Sequence, residues 1–408
     1  MKPNRFLSWA SAEIFFVFSV LVAVAFAILS NEIARSLKLT EADLGLLSGV
    51  FFITYAVSQL VLGILISRVP VRLVLGATAL LSAAGTLAFS LSDGLTAALV
   101  GRAMMGVGLS STFVGVIYLV GRGYGKNFAF MSSLSQSLVN VSAAALAITS
   151  AFYPILTDFR RPFQVLAGLF VLSAALVFAL AGGQPPPSAT ASRPPLSVAF
   201  KAVMASGQFW AALVYYAGTF GTLLAFADLW NIQFQMNFFQ HTVQQSAVMN
   251  SMIPLGVTVG GLAAGAWAVK SGFVWPARVF VLLVMVCFLV LLVLPLSSLT
   301  AGAVMFLIGC GFSGSTMGLT ALQEHLPAYA APLGTSLVVT GACIFGGLVQ
   351  PLVGSAVGAP TRAGDLIALV MTTNPDFGTY QRGLLWLLAS VLCAVVASFF
   401  FRAPPARA

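Results

Sequence analysis

The sequence predicts an all-α integral membrane protein in which twelve transmembrane helices form two six-helix pseudo-repeats. The prediction rests on the composition, on the spacing of the apolar runs and on an internal repeat. Of the 408 residues, 59% are hydrophobic and only 7% are charged, against roughly 45–50% and about 25% in soluble domains. A water-soluble fold cannot bury so much apolar surface, so the lipid bilayer is an expected partner.

Apolar runs of membrane-spanning length recur along the whole chain. A helix needs about 20 apolar residues to cross the ~30 Å hydrocarbon core, where the backbone finds no hydrogen-bond partner outside the helix. Twelve runs meet this length, at about residues 8–30, 44–66, 73–91, 95–120, 128–152, 162–182, 207–232, 245–269, 276–296, 300–322, 331–357 and 380–401.

A Pro-rich segment divides these runs into two sets of six. Residues 184–195 read QPPPSATASRPP, and a segment so rich in proline cannot continue a helix. The sequence therefore predicts an N-terminal bundle at residues 1–182, a cytoplasmic linker at 183–206 and a C-terminal bundle at 207–408.

The basic residues indicate how the chain is oriented in the membrane. With a cytoplasmic N-terminus, twelve Lys and Arg residues lie in cytoplasmic segments and six lie on the opposite side. Such an excess is typical of short cytoplasmic loops. We therefore expect a multi-pass protein of the cell inner membrane with both termini in the cytoplasm.

Charge and cysteine content argue against several other classes of protein. The net charge of +9 comes from residues that stand singly or in pairs between apolar runs, so no nucleic-acid partner is expected. The cysteines all lie inside apolar runs, where a thiol behaves as a small apolar group. Neither a disulfide framework, a metal site nor a cofactor is predicted.

Three pairs of segments indicate that the second half of the chain repeats the first. Each pair is separated by 202 or 203 positions, and the pairs occur in the same order in both halves. They are Thr40–Asp43 with Thr242–Gln245, 63–70 with 265–272, and 105–110 with 308–313. The Thr-initiated pair is typical of capping boxes that open a helix. Three matches at one separation predict a duplicated bundle.

The loop after the second run and the fourth run resemble two motifs of one transporter family. The loop carries Gly63-x-Leu65-x-Ser67-Arg68-x-Pro70-x-Arg72, which resembles the G-x-L-x-D-R-x-G-R-K signature of the major facilitator superfamily. The fourth run carries Leu99-x-x-Arg102-x-x-x-Gly106-x-Gly108-x-Ser110, which is similar to that family's buried-arginine motif. The resemblance implies two six-helix bundles around a central cavity that opens alternately to the two sides.

The same resemblance assigns a gating loop. Its residues are Gly63, Arg68 and Arg72, with Gly265 and Lys270 at the repeated positions. The family's acidic residue is replaced by Ser67 in the first half and by Val269 in the second. A cytoplasmic latch is therefore expected to be weaker here or to use other groups. The fifth run also lacks the family's Gly-Pro antiporter motif, which favours import over drug export.

Arg102 is the sharpest site prediction, since a guanidinium at membrane depth is costly unless it faces a cavity or a partner. One interpretation is that Arg102 binds an anionic substrate or takes part in coupling. The other is that it holds neighbouring helices together through their backbone carbonyls. Its repeat equivalent, Met305, is apolar, so either role is performed once per molecule.

Asp228 is the acid predicted to lie well inside the second bundle. Burial favours the protonated form of a carboxyl group, so Asp228 is a candidate for carrying a proton or for contacting substrate. A position at the exposed outer mouth is the alternative. Glu13, near the cytoplasmic end of the first run, is expected at the membrane interface, with a functional role as the alternative.

Polar amides and aromatic residues complete the predicted substrate site. Gln136 and Asn140 are spaced i and i+4 and share one helix face, and Gln350 lies on the eleventh run. Tyr216 and Trp230 are candidates for an aromatic wall. Ordinary interhelical hydrogen bonds and core packing explain the same residue types equally well.

Together these observations predict a secondary active transporter that works by alternating access. Its expected substrate is a small polar metabolite, an organic acid or amino acid, and its expected coupling ion is a proton. The chain is expected to act as a monomer. No motif of an intramembrane enzyme is found, and a receptor that kept the fold without transport is a further alternative.

Two alternative cargoes stay open at this point. One is export of a drug-like or siderophore-type compound. The other is import of copper(I), because Met236, Met249, Met252 and His241 supply the thioether and imidazole groups that suit this ion.

The predicted orientation is testable by cysteine labelling. Single cysteines at Ser192 and Thr361, in a background without the native cysteines, should react differently with an impermeant thiol reagent on intact cells. Thr361 should be labelled and Ser192 protected, because the linker is predicted to face the cytoplasm. Labelling of Ser192 with protection of Thr361 would reverse the orientation.

Overall fold

Helices make up nearly all of the described chain. The computed structural model describes residues 4–66, 69–124, 128–152, 158–181, 195–237, 239–294, 296–327, 329–358 and 377–402, and it contains no strand in these ranges. Arg68 and residues 183–194 of the predicted linker lie outside these ranges. The chain divides into two compact units, Met1–Thr190 and Ala191–Ala408.

Within the described residues, each unit contains six long helices. The first unit consists of α1 (Arg5–Leu37), α2 (Glu41–Ile66), α3 (Val71–Ser90), α4 (Leu95–Tyr124), α5 (Phe128–Phe152) and α6 (Arg160–Leu180). The second consists of α7 (Gly207–Asn237), α8 (Val243–Ser271), α9 (Val274–Val293), α10 (Ser298–His325), α11 (Ala331–Gly358) and α12 (Phe377–Ser398).

These helices coincide with the twelve apolar runs, so the predicted fold class is confirmed. By length and composition, 11 helices of the described chain can span a membrane. The remaining one is α5, which has 25 residues. One segment differs from the prediction: Leu196–Ala205, placed in the linker, forms a short helix that begins directly after Pro195. Proline favours this position because its fixed backbone angle suits a helix start.

The predicted helix starts of the repeat are present as reciprocal caps. The Asp43 N–H donates to Thr40 Oγ1 at 3.2 Å, and the Thr40 N–H donates to Asp43 Oδ2 at 2.9 Å. In the second unit the Gln245 N–H donates to Thr242 Oγ1 at 3.2 Å, and the Thr242 N–H donates to Gln245 Oε1 at 3.0 Å. Each pair satisfies two backbone donors that a helix start otherwise leaves without partners.

The repeated motif also interrupts two helices at equivalent positions. α4 consists of Leu95–Leu109 and Ser111–Tyr124, with a turn at Ser110 between them. α10 contains a 3₁₀ turn over Ser313–Ser315. These breaks are 203 positions apart, the same separation as the matching sequence segments, so the duplication extends to backbone geometry.

Glycines of the motif let neighbouring helices approach closely. A methyl group added at Gly108 would lie 2.7 Å from the Ser82 backbone nitrogen of α3, and one added at Gly311 would lie 2.9 Å from the Phe280 carbonyl oxygen of α9. Both separations are too short for a carbon atom. The two units therefore use the same glycine position for the same helix contact.

This packing predicts opposite effects for two glycine substitutions in α10. Gly311→Ala should destabilise the purified protein by about 1–3 kcal/mol, because the added methyl group overpacks the contact with α9. Gly302→Ala is the matched control, since a methyl group there meets nothing within 4 Å, and alanine is the better helix former.

Thermal unfolding in detergent is the measurement. The apparent melting temperature should fall for Gly311→Ala and stay level or rise for Gly302→Ala. Equal effects of both substitutions would contradict the close approach of α9 and α10.

Candidate functional site

α7 departs from regular helical geometry at its centre. The α-helical segments Gly207–Tyr216, Thr222–Ala225 and Asn231–Asn237 are separated by π-helical segments at Ala217–Gly221 and Phe226–Trp230. A π turn inserts one extra residue, breaks the regular i→i−4 hydrogen-bond ladder and is frequent at functional sites. Asp228 and Trp230 both lie on the second π segment.

α11 packs directly against the first π segment. A methyl group on Gly346 would lie 2.8 Å from the Gly221 carbonyl oxygen, and one on Gly221 would lie 2.8 Å from the Ala342 carbonyl oxygen. Farther along, Trp230 and Phe234 of α7 face Val353 of α11 across a small apolar pocket that α12 also lines. The two helices are therefore in contact on both sides of Asp228.

Four of the predicted site residues lie along this contact. We call it the α7–α11 seam, formed by Tyr216, Asp228 and Trp230 of α7 and by Cys343 and Gln350 of α11. Tyr216 and Asp228 each lie near Cys343. Trp230 faces Val353, and Gln350 precedes Val353 by one helical turn on the same side of α11.

Two polar side chains of the seam are buried without a hydrogen-bond partner in the part of the chain that the structure describes. Gln350 is 0% exposed, and neither of its amide atoms has a partner among the described residues. Trp230 is 2% exposed, and its indole N–H likewise has none within the described ranges. Such groups cost free energy when left unpaired. Pro351 also removes one backbone hydrogen-bond donor from α11, because proline has no N–H.

A chain of side-chain hydrogen bonds leads away from the second π segment. Asn250 of α8 donates to the Ala227 carbonyl oxygen at 3.0 Å and accepts from Asn231 at 2.7 Å. Gln235 donates to Asn231 Oδ1 at 3.4 Å. The chain ends at His241, whose Nδ1 lies 3.1 Å from Gln235 Oε1.

The direction of this chain fixes the tautomer of His241. Gln235 Oε1 can only accept, so His241 Nδ1 carries the proton and Nε2 accepts from the Ser298 hydroxyl at 3.1 Å. Partial burial lowers the pKa of His241, which favours this neutral form. The chain therefore links the loop after α7 to the π segment that carries Asp228.

Most of this series of side-chain hydrogen bonds was not predicted from the sequence. Asp228, Asn231 and Gln235 follow one another at spacings of three and four, which places them on one helix face. That polar stripe was visible in the sequence. Its connection to His241 was not, because the contact depends on the path of the loop after α7.

Arg102 lies in the first unit and is 1% exposed. Its guanidinium carbon lies 4.1 Å from the ring centre of Phe26 on α1 and 4.4 Å from that of Phe51 on α2. Its Nε donates to the Leu47 carbonyl oxygen at 3.2 Å. These contacts join α4 to α1 and α2, which supports the interpretation that Arg102 holds helices together.

With this geometry established, comparisons with known proteins identify the family. The family model described as Major Facilitator Superfamily matches residues 14–351. The chain belongs to the major facilitator superfamily. The resemblance to this family is thereby confirmed, and so is the chain's character as a multi-pass membrane protein of a transporter family for small molecules. Among curated protein sequences, none matches the chain significantly.

Solved structures of superfamily members share the fold. A bacterial homologue of the human lysosomal transporter Spinster, inward-facing and unoccupied, superposes with a TM-score of 0.75 at 15% sequence identity, covering 98% of this chain and 97% of the other. The nucleoside transporter NupG superposes with a TM-score of 0.75 at 13% identity, covering 98% of this chain and 99% of the other. At these identities the likeness concerns the fold alone.

The remaining predicted residues of this superfamily member lie elsewhere. Gln136 is exposed and Asn140 half-buried on α5, a different helix from the one that carries Arg102. Arg72 and Lys270 of the gating loops are exposed, whereas Gly63 and Gly265 are half-buried.

Two aromatic residues have structural contacts. Tyr215 donates to the Ala277 and Gly314 carbonyl oxygens at 2.9 and 3.0 Å, which satisfies the backbone at the 3₁₀ turn of α10. The Tyr118 hydroxyl accepts from Arg122 at 3.1 Å at the exposed end of α4.

The Arg102 contacts predict a loss of stability on substitution. Arg102→Gln and Arg102→Lys should both lower the apparent melting temperature of the detergent-purified protein, because neither side chain stacks a planar cation between two rings. Desolvated cation–π contacts contribute about 2 kcal/mol each.

Arg122→Gln, an exposed position in the same helix, is the control and should leave stability nearly unchanged. A fully stable Arg102→Gln protein that has lost transport would instead favour a direct role of Arg102 in substrate binding.

Proposed function

We propose that the protein is a secondary active transporter that moves a small polar metabolite across the cell inner membrane by alternating access, with the α7–α11 seam as a substrate contact. The observation that carries the proposal is that the amide of Gln350 and the indole N–H of Trp230 are both buried and have no hydrogen-bond partner among the described residues. A transporter needs polar groups that are available to a ligand, and these groups gain hydrogen bonds when one binds.

The charge of the seam narrows the substrate class. Its ionisable side chains are an acid, a phenol and a thiol, and no basic side chain belongs to it. An organic acid would gain no countercharge from these residues, whereas the ammonium group of an amino acid or a neutral hydrogen-bonding solute fits them. Among the predicted metabolites, the seam therefore favours an amino acid over an organic acid.

Asp228 is the proposed site of proton coupling in the second unit. It lies on a π segment, half-buried and close to Cys343. A carboxyl group in this position changes its proton affinity when its surroundings are wetted or dried during the cycle. The fifth helix lacks the antiporter motif, which supports import together with a proton.

The cytoplasmic termini and the monomeric state are part of the same proposal. The distribution of basic residues supports the orientation. Both six-helix units belong to one chain, which supports a monomer as the working unit.

A panel of defined solutes tests the substrate class. Thermal stabilisation of the full-length protein in detergent should be measured with L-alanine, L-lysine, uridine and succinate, because a ligand that binds only the folded state raises apparent stability. We expect stabilisation by a zwitterionic, cationic or neutral compound and none by succinate. Stabilisation by succinate alone would contradict the charge argument.

Two glutamine substitutions test the role of the seam. Gln350→Leu should leave the free protein at least as stable as the wild type, because it removes a buried amide that has no hydrogen-bond partner among the described residues. The same variant should lose stabilisation by the solute that binds the wild type.

Gln381→Leu is the matched control. Gln381 of α12 is also buried, yet its amide donates to the Leu292 carbonyl oxygen at 2.8 Å. This variant should lower the melting temperature by removing that bond and should keep the response to the solute. Retained solute binding in Gln350→Leu would remove the seam from the substrate site.

A further inference from the structure

A carboxyl group is buried near one end of the first unit. Glu13 follows Arg5, the first residue of α1, by eight positions, which corresponds to about 12 Å along the helix. It is 4% exposed. The side chain is covered by protein, because α4, α5 and α6 pack against α1. Its position at the membrane interface stays a prediction.

The surroundings of Glu13 are apolar. Trp9 and Phe16, one turn before and one turn after it, belong to a buried cluster that also contains Val116 and Leu119 of α4. Such an environment strongly disfavours a charged carboxylate unless a cation or several hydrogen-bond donors compensate for it.

In the described chain, Glu13 has neither a cation nor several hydrogen-bond donors beside it. Neither of its carboxyl oxygens has a hydrogen-bond partner among the described residues, and it forms no ion pair there. Ser135 of α5 is the polar side chain that interacts with it. The Ser135 oxygen accepts the Trp9 indole N–H at 2.9 Å, so its hydroxyl proton is free to be donated to another acceptor.

Charged groups on the helices around α1 have other partners or lie at helix ends. Arg122 donates to Tyr118, and Arg5 donates to the Gly123 carbonyl oxygen. The described part of α5 contains no titratable residue. The other titratable side chains on α1 and on the helices packed against it are Glu32, Arg35, Glu41, Asp43, Tyr55, Arg102, Tyr124, Arg160 and Arg161.

We propose that Glu13 is a proton-binding site of the first unit, occupied by a proton in the arrangement described here and emptied in another arrangement of the transport cycle. An unpaired carboxyl group adds nothing to stability that leucine or glutamine would not supply better. Its chemical advantage over both is that it binds and releases a proton.

The step itself is a simple proton transfer. An O–H bond forms at one Glu13 oxygen with a proton taken from water on one side of the membrane, and it breaks when the proton passes to water on the other side. Ser135 can donate a hydrogen bond to the carboxylate once the proton has left. The role of this step in transport rests on the proposed proton coupling, but proton binding by Glu13 can be measured without any substrate.

Infrared difference spectroscopy of the full-length protein in lipid vesicles is the test. During a titration from acid to alkaline pH, the wild type should lose the C=O stretching band of a protonated carboxyl group. Glu13→Gln should lack the part of this C=O band that comes from Glu13. The exposed control Glu324→Gln and the seam variant Asp228→Asn should keep it. A titrating band that is unchanged in Glu13→Gln would overturn the proposal, and so would the absence of any titrating band in the wild type.

A second variant separates chemistry from folding. Glu13→Asp retains the carboxyl group, so a shifted but titrating band is expected, and thermal unfolding shows whether each variant is folded. With the solute that stabilises the wild type, Glu13→Gln should exchange labelled for unlabelled solute and lose accumulation driven by a pH gradient. Unchanged accumulation would overturn the coupling role. If no solute of the panel binds while the band disappears in Glu13→Gln, proton binding stands and the proposed substrate class fails.

Discussion

Backbone hydrogen bonding in a medium without water is the constraint on which this structure depends. Inside a bilayer each N–H and C=O group must find its partner within the protein, which makes long helices the natural solution. Where a helix is interrupted, a side chain takes over: Tyr215 donates to the Gly314 carbonyl oxygen at the 3₁₀ turn of α10. Buried side chains that have no hydrogen-bond partner among the described residues are therefore informative, because each of them costs free energy in this arrangement.

The two units share a framework and differ in their buried polar residues. Both begin their second helix with a capping box, both interrupt their fourth helix at the same repeat position, and both pack that helix through glycine. Arg102 has no counterpart in the second unit, where buried Met305 takes its place. The polar seam with its two π segments belongs to the second unit. Packing positions were therefore retained after duplication, while the chemical groups diverged.

Buried polar groups in this protein fall into two kinds. Arg102, Tyr215 and Gln381 have partners on neighbouring helices, and their contacts join one helix to another. Gln350 and Glu13 have none among the described residues. Residues of the first kind stabilise a single arrangement of helices. Residues of the second kind cost stability in this arrangement, which is the expected signature of groups that bind a ligand or a proton.

The sequence by itself determined the fold class, the twelve helices and the internal repeat. Membrane helices require long apolar runs, which are visible directly in the sequence. Each capping box lies within four residues, so it can also be predicted from the local sequence. The polar stripe of Asp228, Asn231 and Gln235 could also be predicted from the spacing of these residues along a helix.

Only the tertiary structure decided which polar residues have partners. Arg102 lies between Phe26 and Phe51, which are far from it in sequence, and Glu13 is buried because three other helices cover it. The π segments of α7 likewise accompany its close packing against α11. Partners on separate helices come together only when the helices pack, and no pattern along one segment specifies that contact.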